Sequence, residues 1–351
     1  AGIKNYGSEG TEAVISLAEL LNAPITASPG HNDSIPSSHP LYAGTAGPRG
    51  SGLGTNLLKE ADVILVLGSR IGFNTSFYSY ENINEKASII QCEIDQKSIG
   101  RYFPVSVGIL ADAKTVAKQL YSSLKTAQLK QEVEDWSHQF KKNKKSYLDQ
   151  REANADSESV PILSSGLFKE LRGSLPKDAI ITLDAGTMCL QLTDALDFNQ
   201  PKSLFTPLDY GLIGFSFPAG LGIKLAAPDR PVVSFHGDGG FATCYQELAT
   251  AVENKINTIV IVLKNFSWGA EKSYQKDFFN GRFIGADVST PDFDKVAELY
   301  GCKGIKVEKA TEIGDAIQAG IDAECPTVID VHCSRDSLYS FRRDSFEHKL
   351  D

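Results

Sequence analysis

Methionine is almost absent: the 351-residue chain has one, Met188, and starts on alanine. Its first residues read as the middle of an α/β unit, so the chain is expected to be the C-terminal part of a longer polypeptide. Long apolar runs are also missing. The longest, such as Val63–Leu67 and Thr258–Leu263, fall well short of the roughly 18 residues that cross a bilayer. No leader with an apolar stretch opens the sequence either, so a cytoplasmic protein without a membrane partner is expected. The six cysteines, Cys92, Cys189, Cys244, Cys302, Cys325 and Cys333, form no C-x-x-C pair and have no metal-finger spacing. That excludes a zinc ribbon and leaves reduced, structural thiols. Basic charge is in deficit, with 35 Lys+Arg against 44 Asp+Glu and a formal charge of −9. A nucleic acid needs clustered basic charge and is excluded as main partner. Small anionic substrates need only a local pocket and stay open.

What is present is ordinary globular material, 42% hydrophobic and 23% charged, in a length that predicts two domains. Residues 1–125 alternate helix and strand: a helix at Glu12–Leu21, a Pro/Ser/His/Gly loop from Ser28 to Gly54, a helix through Leu58 and Glu60, and strands at Ala61–Gly68 and Ser88–Ile94. The first of these strands is continuously apolar, as strands buried on both faces are. An amphipathic helix over Ala113–Leu124 closes the unit. Residues 126–160 turn polar and charged and predict a solvated helical linker. From residue 161 to 351 the alternation resumes, with strands at Ala179–Leu183, Pro231–His236, Thr258–Leu263, Lys303–Val307 and Pro326–His332 separated by helices. The predicted fold class is α/β, two doubly wound parallel-sheet domains joined by a charged helical linker. In such sheets ligands sit beyond the carboxyl ends of the strands.

Two strand ends stand out. His236-Gly237-Asp238-Gly239-Gly240-Phe241 closes one strand and Lys264-Asn265 closes the next. A helix from Phe241 to Asn254 separates the two strands, so Asp238 and Asn265 emerge on one edge. Gly237, Gly239 and Gly240 leave the backbone bare, and a helix N-terminus at that point suits a diphosphate. A carboxylate and an amide oxygen are the hard donors that Mg²⁺ prefers beside phosphate oxygens. The competing account is a βα turn with glycines for geometry and Asp238 as a helix cap; the placement of Asn265 favours the ligand site.

The pair resembles the motif of the thiamine-diphosphate enzymes of the acetohydroxyacid synthase and pyruvate oxidase type, which opens with GDG and closes with NN. That resemblance implies Asp238, the Asn265 side chain and the Ser267 carbonyl as metal ligands, with Lys264 departing from the first Asn. The Gly211-Leu212-Ile213-Gly214-Phe215-Ser216-Phe217-Pro218-Ala219 loop is similar to the family's G-x-x-G-F-x-x-P-A loop. It implies Ile213 as the wedge that bends thiamine and the Gly211 backbone as an aminopyrimidine partner. Asp184-Ala185-Gly186-Thr187 resembles the second diphosphate-side loop. Within the superfamily, Asn265-Phe266-Ser267-Trp268-Gly269-Ala270-Glu271-Lys272, Arg282-Phe283 and Phe341-Arg342-Arg343-Asp344 are similar to the sulfoacetaldehyde acetyltransferase family. So are His31-Asn32-Asp33-Ser34 and His39-Pro40-Leu41 of the first domain.

The resemblance implies thiamine diphosphate and Mg²⁺ as cofactors and conversion of sulfoacetaldehyde and phosphate to acetyl phosphate and sulfite. That is acyl transfer in sulfonate metabolism, taurine degradation included. It makes residues 1–125 a truncated central domain and residues 161–351 the diphosphate-binding domain with a C-terminal tail. Two anionic substrates require cations. Lys272, Arg342 and Arg343 are the candidates, with Arg282 behind them, and each also suits a surface ion pair. Glu271 either polarises a bound intermediate or caps a helix. Trp268 and Phe266 are read as an apolar wall beside the cofactor or as plain core. His31 and His39 lie on a loop with reach to substrate but are read as structural more readily than as substrate contacts, and His236 is expected to be buried at its strand end. The family's activating glutamate belongs to a pyrimidine-binding domain that nothing here matches, so the isolated chain is expected to bind cofactor weakly without turnover. A homodimer or homotetramer through that domain is implied. Gly47–Gly54, Gly68-Ser69-Arg70 and Glu93-Ile94-Asp95 resemble remnants of a flavin site, but no flavin is expected because the reaction needs none. The alternatives are an acetohydroxyacid synthase or 2-oxoacid decarboxylase, and a non-catalytic binding or regulatory homologue.

Overall fold

The computed structural model describes residues 2–48, 50–127 and 134–336. They form two compact units. One runs through Gln150 and includes Asp197–Lys202; the other holds Arg151–Leu196 and Ser203 onward.

The first unit contains α1 (Ser8–Leu21), β1 (Ile25–Ala27), β2 (Tyr42–Thr45), α2 (Gly52–Glu60), β3 (Val63–Leu67), α3 (Phe73–Ser76), β4 (Ser88–Glu93), β5 (Val107–Leu110), α4 (Ala113–Leu124) and most of α5 (Glu134–Ala153). Local chemistry sets the helix ends. The Ser51 hydroxyl accepts the Gly54 N–H at 2.9 Å to cap α2, and Asp112 accepts the Thr115 N–H at 2.8 Å to cap α4. All strand pairs are parallel, in a β3-β4-β5 sheet and a separate β1-β2 pair. Alternate residues of β3 feed different clusters. Ile64 and Val66 pack with Leu58, Ile83 and Ile89, while Leu65 and Leu67 pack beside Ala13, Leu17 and Ala117 of α1 and α4. Both faces are thus covered, as the apolar run predicts, except that Val63 at its start is 55% exposed.

Three readings of this unit change. β2 lies inside the stretch expected to be loop, and β1 and β5 were not anticipated. Their three or four residues are too few to show a period. The segment read as a solvated linker is also more than that. Within α5, Phe140 is buried against Ala43 and Leu57, Ser137 donates to Asn22 Oδ1 at 2.8 Å, and the Lys144 ammonium donates to the His39 carbonyl at 2.7 Å. One aromatic and two polar anchors are enough to dock a helix whose composition reads as surface.

The second unit contains α6 (Ser164–Ser174), β6 (Ile180–Leu183), α7 (Thr187–Ala195), β7 (Leu204–Phe205), α8 (Ser216–Ala226), β8 (Val232–Gly237), α9 (Asp238–Phe241), α10 (Leu248–Glu253), β9 (Ile259–Lys264), α11 (Gly269–Phe278), α12 (Phe293–Leu299), β10 (Lys303–Val307), α13 (Ile313–Ile321) and β11 (Thr327–His332). Its six strands are parallel in the order β10-β11-β9-β8-β6-β7. Phe217, Leu221, Phe241, Leu248, Val260, Val262, Phe293 and Ala297 form the core on one face. On the other face Gly320 of α13 lies so close to Ile259 that a Cβ would stand 3.0 Å from its side chain. From β6 the chain goes to β7 on one side and then to β8 on the other, which puts the topological switch point between β6 and β8. Ligands of doubly wound sheets bind at such crevices.

The helix expected from Phe241 to Asn254 is broken. α9 starts earlier, at Asp238, and Cys244 leaves the helical region at φ −141°, ψ 3° before a short 3-10 turn leads into α10. Phe241, Cys244, Leu248 and Ala251 all enter one core. Their helical spacing therefore survives a jog in the backbone that the pattern cannot reveal.

Candidate functional site

The crevice at the switch point is lined by the segments after β6, β8 and β9. At its floor is Asp184, 1% exposed. Its Oδ1 accepts the N–H groups of Phe215 at 2.8 Å and Ser216 at 3.3 Å, and its Oδ2 accepts that of Gly214 at 2.9 Å. His236, fully buried as expected, accepts the Phe217 N–H at Nε2, 2.8 Å away. The ring proton is then on Nδ1, which lies 3.2 Å from Asp184 Oδ2. Burial pushes the Asp184 carboxyl up, but the His236 ring and the Gly214 and Phe215 N–H groups outweigh it and hold it below its ordinary value. Asp184, read as a diphosphate-side residue, thus carries the loop that presents Gly211 and Ile213. Ile213 itself is 42% exposed.

Asp238, fully buried, is arranged differently. Oδ2 accepts the Phe266 N–H at 3.0 Å and the Thr290 hydroxyl at 3.1 Å, while Oδ1 is buried with no hydrogen-bond partner. Burial pushes its pKa up despite these donors. A buried carboxylate with one bare oxygen and, among the described residues, no counter-ion suits a cation. Asn265 follows the neighbouring strand, and its Oδ1 accepts the Ser267 N–H at 3.2 Å and hydroxyl at 3.1 Å. Rotation of that hydroxyl frees a lone pair of the amide oxygen. Ser267 is held in place by its antiparallel bridge to Asp287, and Trp268 by its N–H to the Ala286 carbonyl at 2.8 Å.

The glycines divide into two kinds. A Cβ on Gly239 would stand 2.8 Å from the Trp268 ring, and one on Gly240 would stand 2.4 Å from Asp184 Oδ2. These two are needed for packing, a constraint that the sequence reading assigned to diphosphate approach. By contrast, a Cβ on Gly186, Gly211 or Gly237 meets nothing within 4 Å. Gly186 and Gly237 are the N-caps of α7 and α9, so the space open at each adjoins the first N–H groups of a helix, a setting that suits a phosphate-bearing ligand. The Thr187 hydroxyl is buried there without a partner. A diphosphate and a hard cation therefore suit the residues present.

The candidate cations are distributed as follows. Lys272 is paired with Asp287, Nζ to Oδ1 at 2.5 Å, and lies over the Phe283 ring, so an anion must compete with that carboxylate. Arg282 donates to the Phe279 carbonyl at 3.2 Å. Arg342 and Arg343 lie outside the described residues. Glu271 is exposed in the first turn of α11, whose helical form the sequence reading had left open. His31 and His39 belong to the first unit, where His39 Nε2 lies 3.4 Å from Glu19. The sequence reading missed Thr290, which touches Asp238, and Arg335, which stacks 5.1 Å over the Phe266 ring. Thr290 has no motif signal. Arg335 stands just past β11, next to β9 in the sheet, and strand order was needed to find it.

Both parts of the chain resemble known proteins. Residues 1–120 match the central domain of thiamine pyrophosphate enzymes, and residues 184–331 match their C-terminal TPP binding domain. A sulfoacetaldehyde acetyltransferase of Castellaniella defragrans is 33% identical over 96% of this chain and 60% of its own length. A probable acetolactate synthase large subunit of Methanococcus aeolicus is 29% identical over 95% of this chain and 57% of its own. Among solved structures, the thiamine diphosphate-dependent 4-hydroxybenzoylformate decarboxylase of Rhodococcus jostii RHA1 superposes with a TM-score of 0.74 at 25% identity, covering 93% of this chain and 59% of that one. The chain thus spans about 60% of the length of the curated relatives it matches.

Proposed function

Because this chain belongs to the thiamine pyrophosphate enzymes, we propose that it supplies the diphosphate- and metal-holding half of an enzyme that converts sulfoacetaldehyde and phosphate to acetyl phosphate and sulfite. The observation that carries the cofactor half is Asp238: a buried carboxylate with one bare oxygen, beside Asn265 and the open space at Gly186, Gly211 and Gly237. Asp238, Asn265 and the Ser267 carbonyl would hold Mg²⁺, and the first N–H groups of α7 and α9 would hold the diphosphate. When bound, thiamine diphosphate supplies an electron sink for carbon–sulfur cleavage. Asp184 keeps the Gly214–Ser216 backbone in place, next to Ile213, the residue proposed to wedge thiamine. Trp268, packed on Gly239, walls the metal turn. Lys272, and Arg342 and Arg343 of the tail, are the cations proposed for sulfonate and phosphate.

The substrate assignment rests on relatives such as the Castellaniella enzyme and on the W-G-A-E-K run at Trp268–Lys272. A second reading, acetolactate synthesis, has the support of the methanococcal relative. We also propose that the whole protein assembles as a homodimer or homotetramer. The large apolar side chains left exposed in the second unit, Tyr210, Leu212, Ile213, Phe278, Phe279 and Ile284 among them, support this. No helix among the described residues is long and apolar enough to cross a membrane.

The test supplies the full-length protein with thiamine diphosphate, Mg²⁺, sulfoacetaldehyde and phosphate and follows sulfite and acetyl phosphate together. Equal amounts of both are expected. Pyruvate consumption without either product would replace this reading with the second.

A further inference from the structure

Lys264, the last residue of β9, is fully buried. An ammonium in that position is costly unless it is paired. Its Nζ donates to the Pro291 carbonyl at 2.8 Å and to Asp292 Oδ1 at 2.9 Å, and it lies 3.6 Å from Asp330 Oδ2 on β11. The rings of Phe266 and Phe293 flank it at 4.8 and 5.9 Å. Asp292, Asp330 and His332 bring their ligand atoms within 4.8 Å of one another, a grouping that could hold a metal ion. Here the lysine ammonium is the cation inside it.

The segment that this ammonium ties down reaches Asp238 directly. Pro291 and Asp292 follow Thr290, whose hydroxyl donates to Asp238 Oδ2 at 3.1 Å. On their other side the Phe293 N–H donates to Asp330 Oδ2 at 2.8 Å. Asp292 and Asp330 therefore approach one another across Lys264, and without it the 290–292 turn loses its ionic link to β9 and β11. The turn that would move is the one that carries Thr290. Of the two donors that fix Asp238 Oδ2 and leave Oδ1 bare, one depends on that turn, and the other, the Phe266 N–H, lies on the strand end that Lys264 closes.

We propose that Lys264 is a positioning residue for Asp238: its buried ammonium pins the 290–292 turn to β9 and β11, and Thr290 transmits that placement to the metal-binding carboxylate. The inference rests on the reading of Asp238 as a metal ligand.

The experiment uses the full-length protein with thiamine diphosphate and measures the affinity for Mn²⁺, a visible substitute for Mg²⁺, from the electron paramagnetic resonance of the free ion. All variants are compared at a temperature where circular dichroism shows them folded. Lys264→Met is expected to weaken Mn²⁺ at least tenfold and Thr290→Val severalfold, with the double variant no weaker than Lys264→Met alone and Lys264→Arg largely restoring affinity. A residue that only stabilises the fold would lower the melting temperature without this non-additivity. Wild-type affinity in folded Lys264→Met, or effects that add with those of Thr290→Val, would overturn the proposal. Should Lys264→Met not fold, Asp292→Asn takes its place. Its carboxylate is at the surface, and a severalfold loss non-additive with Thr290→Val is expected, while unchanged affinity is fatal. A wild-type protein that binds no Mn²⁺ refutes the metal site itself. Mn²⁺ binding that is normal in every variant refutes only the role of Lys264.

Discussion

Asp238 and Asp184 are buried carboxylates at neighbouring strand ends with opposite electrostatics. Asp184 gains more from its three N–H donors and the His236 ring than burial removes, so its carboxyl is held below the ordinary 3.8. Its stabilisation is complete above that value and disappears as the pH falls through the lowered one. Asp184→Asn is expected to lose about 1–3 kcal/mol at pH 7, and the gap in urea midpoint should close only below pH 4. A gap that does not change with pH would contradict the charged account. Asp238 is the reverse case: burial raises it, so the folded protein prefers its neutral form and loses stability as the pH rises through the raised value. Asp238→Asn should abolish Mg²⁺-dependent cofactor binding while stabilising the metal-free protein at pH 7. A gain of about 1 kcal/mol appears as a melting temperature about 2–4 °C higher for a unit of this size. The gain should vanish in acid, where Asp238 is protonated. Lower stability in the metal-free variant at pH 7 would show that the carboxylate serves the fold and not a cation.

At the scale of elements, the β8–α9 turn mixes two requirements that composition alone presents as one. Gly239→Ala drives a methyl into the Trp268 ring and should cost about 1–3 kcal/mol, part of it recovered by adding Trp268→Leu. Gly237→Ala meets open space and has φ −76°, which alanine tolerates. It should leave metal-free stability within about 0.5 kcal/mol but weaken thiamine diphosphate binding at least tenfold. Parallel losses of stability in both variants would mean that the open space is not a ligand site. This turn also shows what the sequence reading reaches. Strand-terminal polar residues beside glycines pointed to this crevice because in doubly wound sheets ligands sit where the apolar strands end. Which glycine faces a neighbour and which faces space depends on Trp268 and Asp184, distant in sequence. Likewise the apolar spacing through Phe241, Cys244 and Leu248 reported the shared core but not the break between α9 and α10.

Over the whole molecule, helix–strand alternation disclosed the α/β class and the longer strands, because fully buried parallel strands leave continuous apolar runs. The order β10-β11-β9-β8-β6-β7 was not legible. Nothing local in β6 or β8 states that they are neighbours at a switch point, and the grouping of Asp184 with Asp238 follows from that adjacency. For the same reason Lys264 read only as a departure from the first Asn of a motif, although across the sheet it meets Asp292 and Asp330. The proposed function has the second unit hold a diphosphate through Mg²⁺ at the β6–β8 crevice. Calorimetric titration of the full-length protein with thiamine diphosphate, in Mg²⁺ and again in excess EDTA, tests it most directly. Saturable binding, one cofactor per chain, is expected, lost in EDTA and lost in Asp238→Asn. Binding that is equal with and without the metal, or no binding in either, would contradict it.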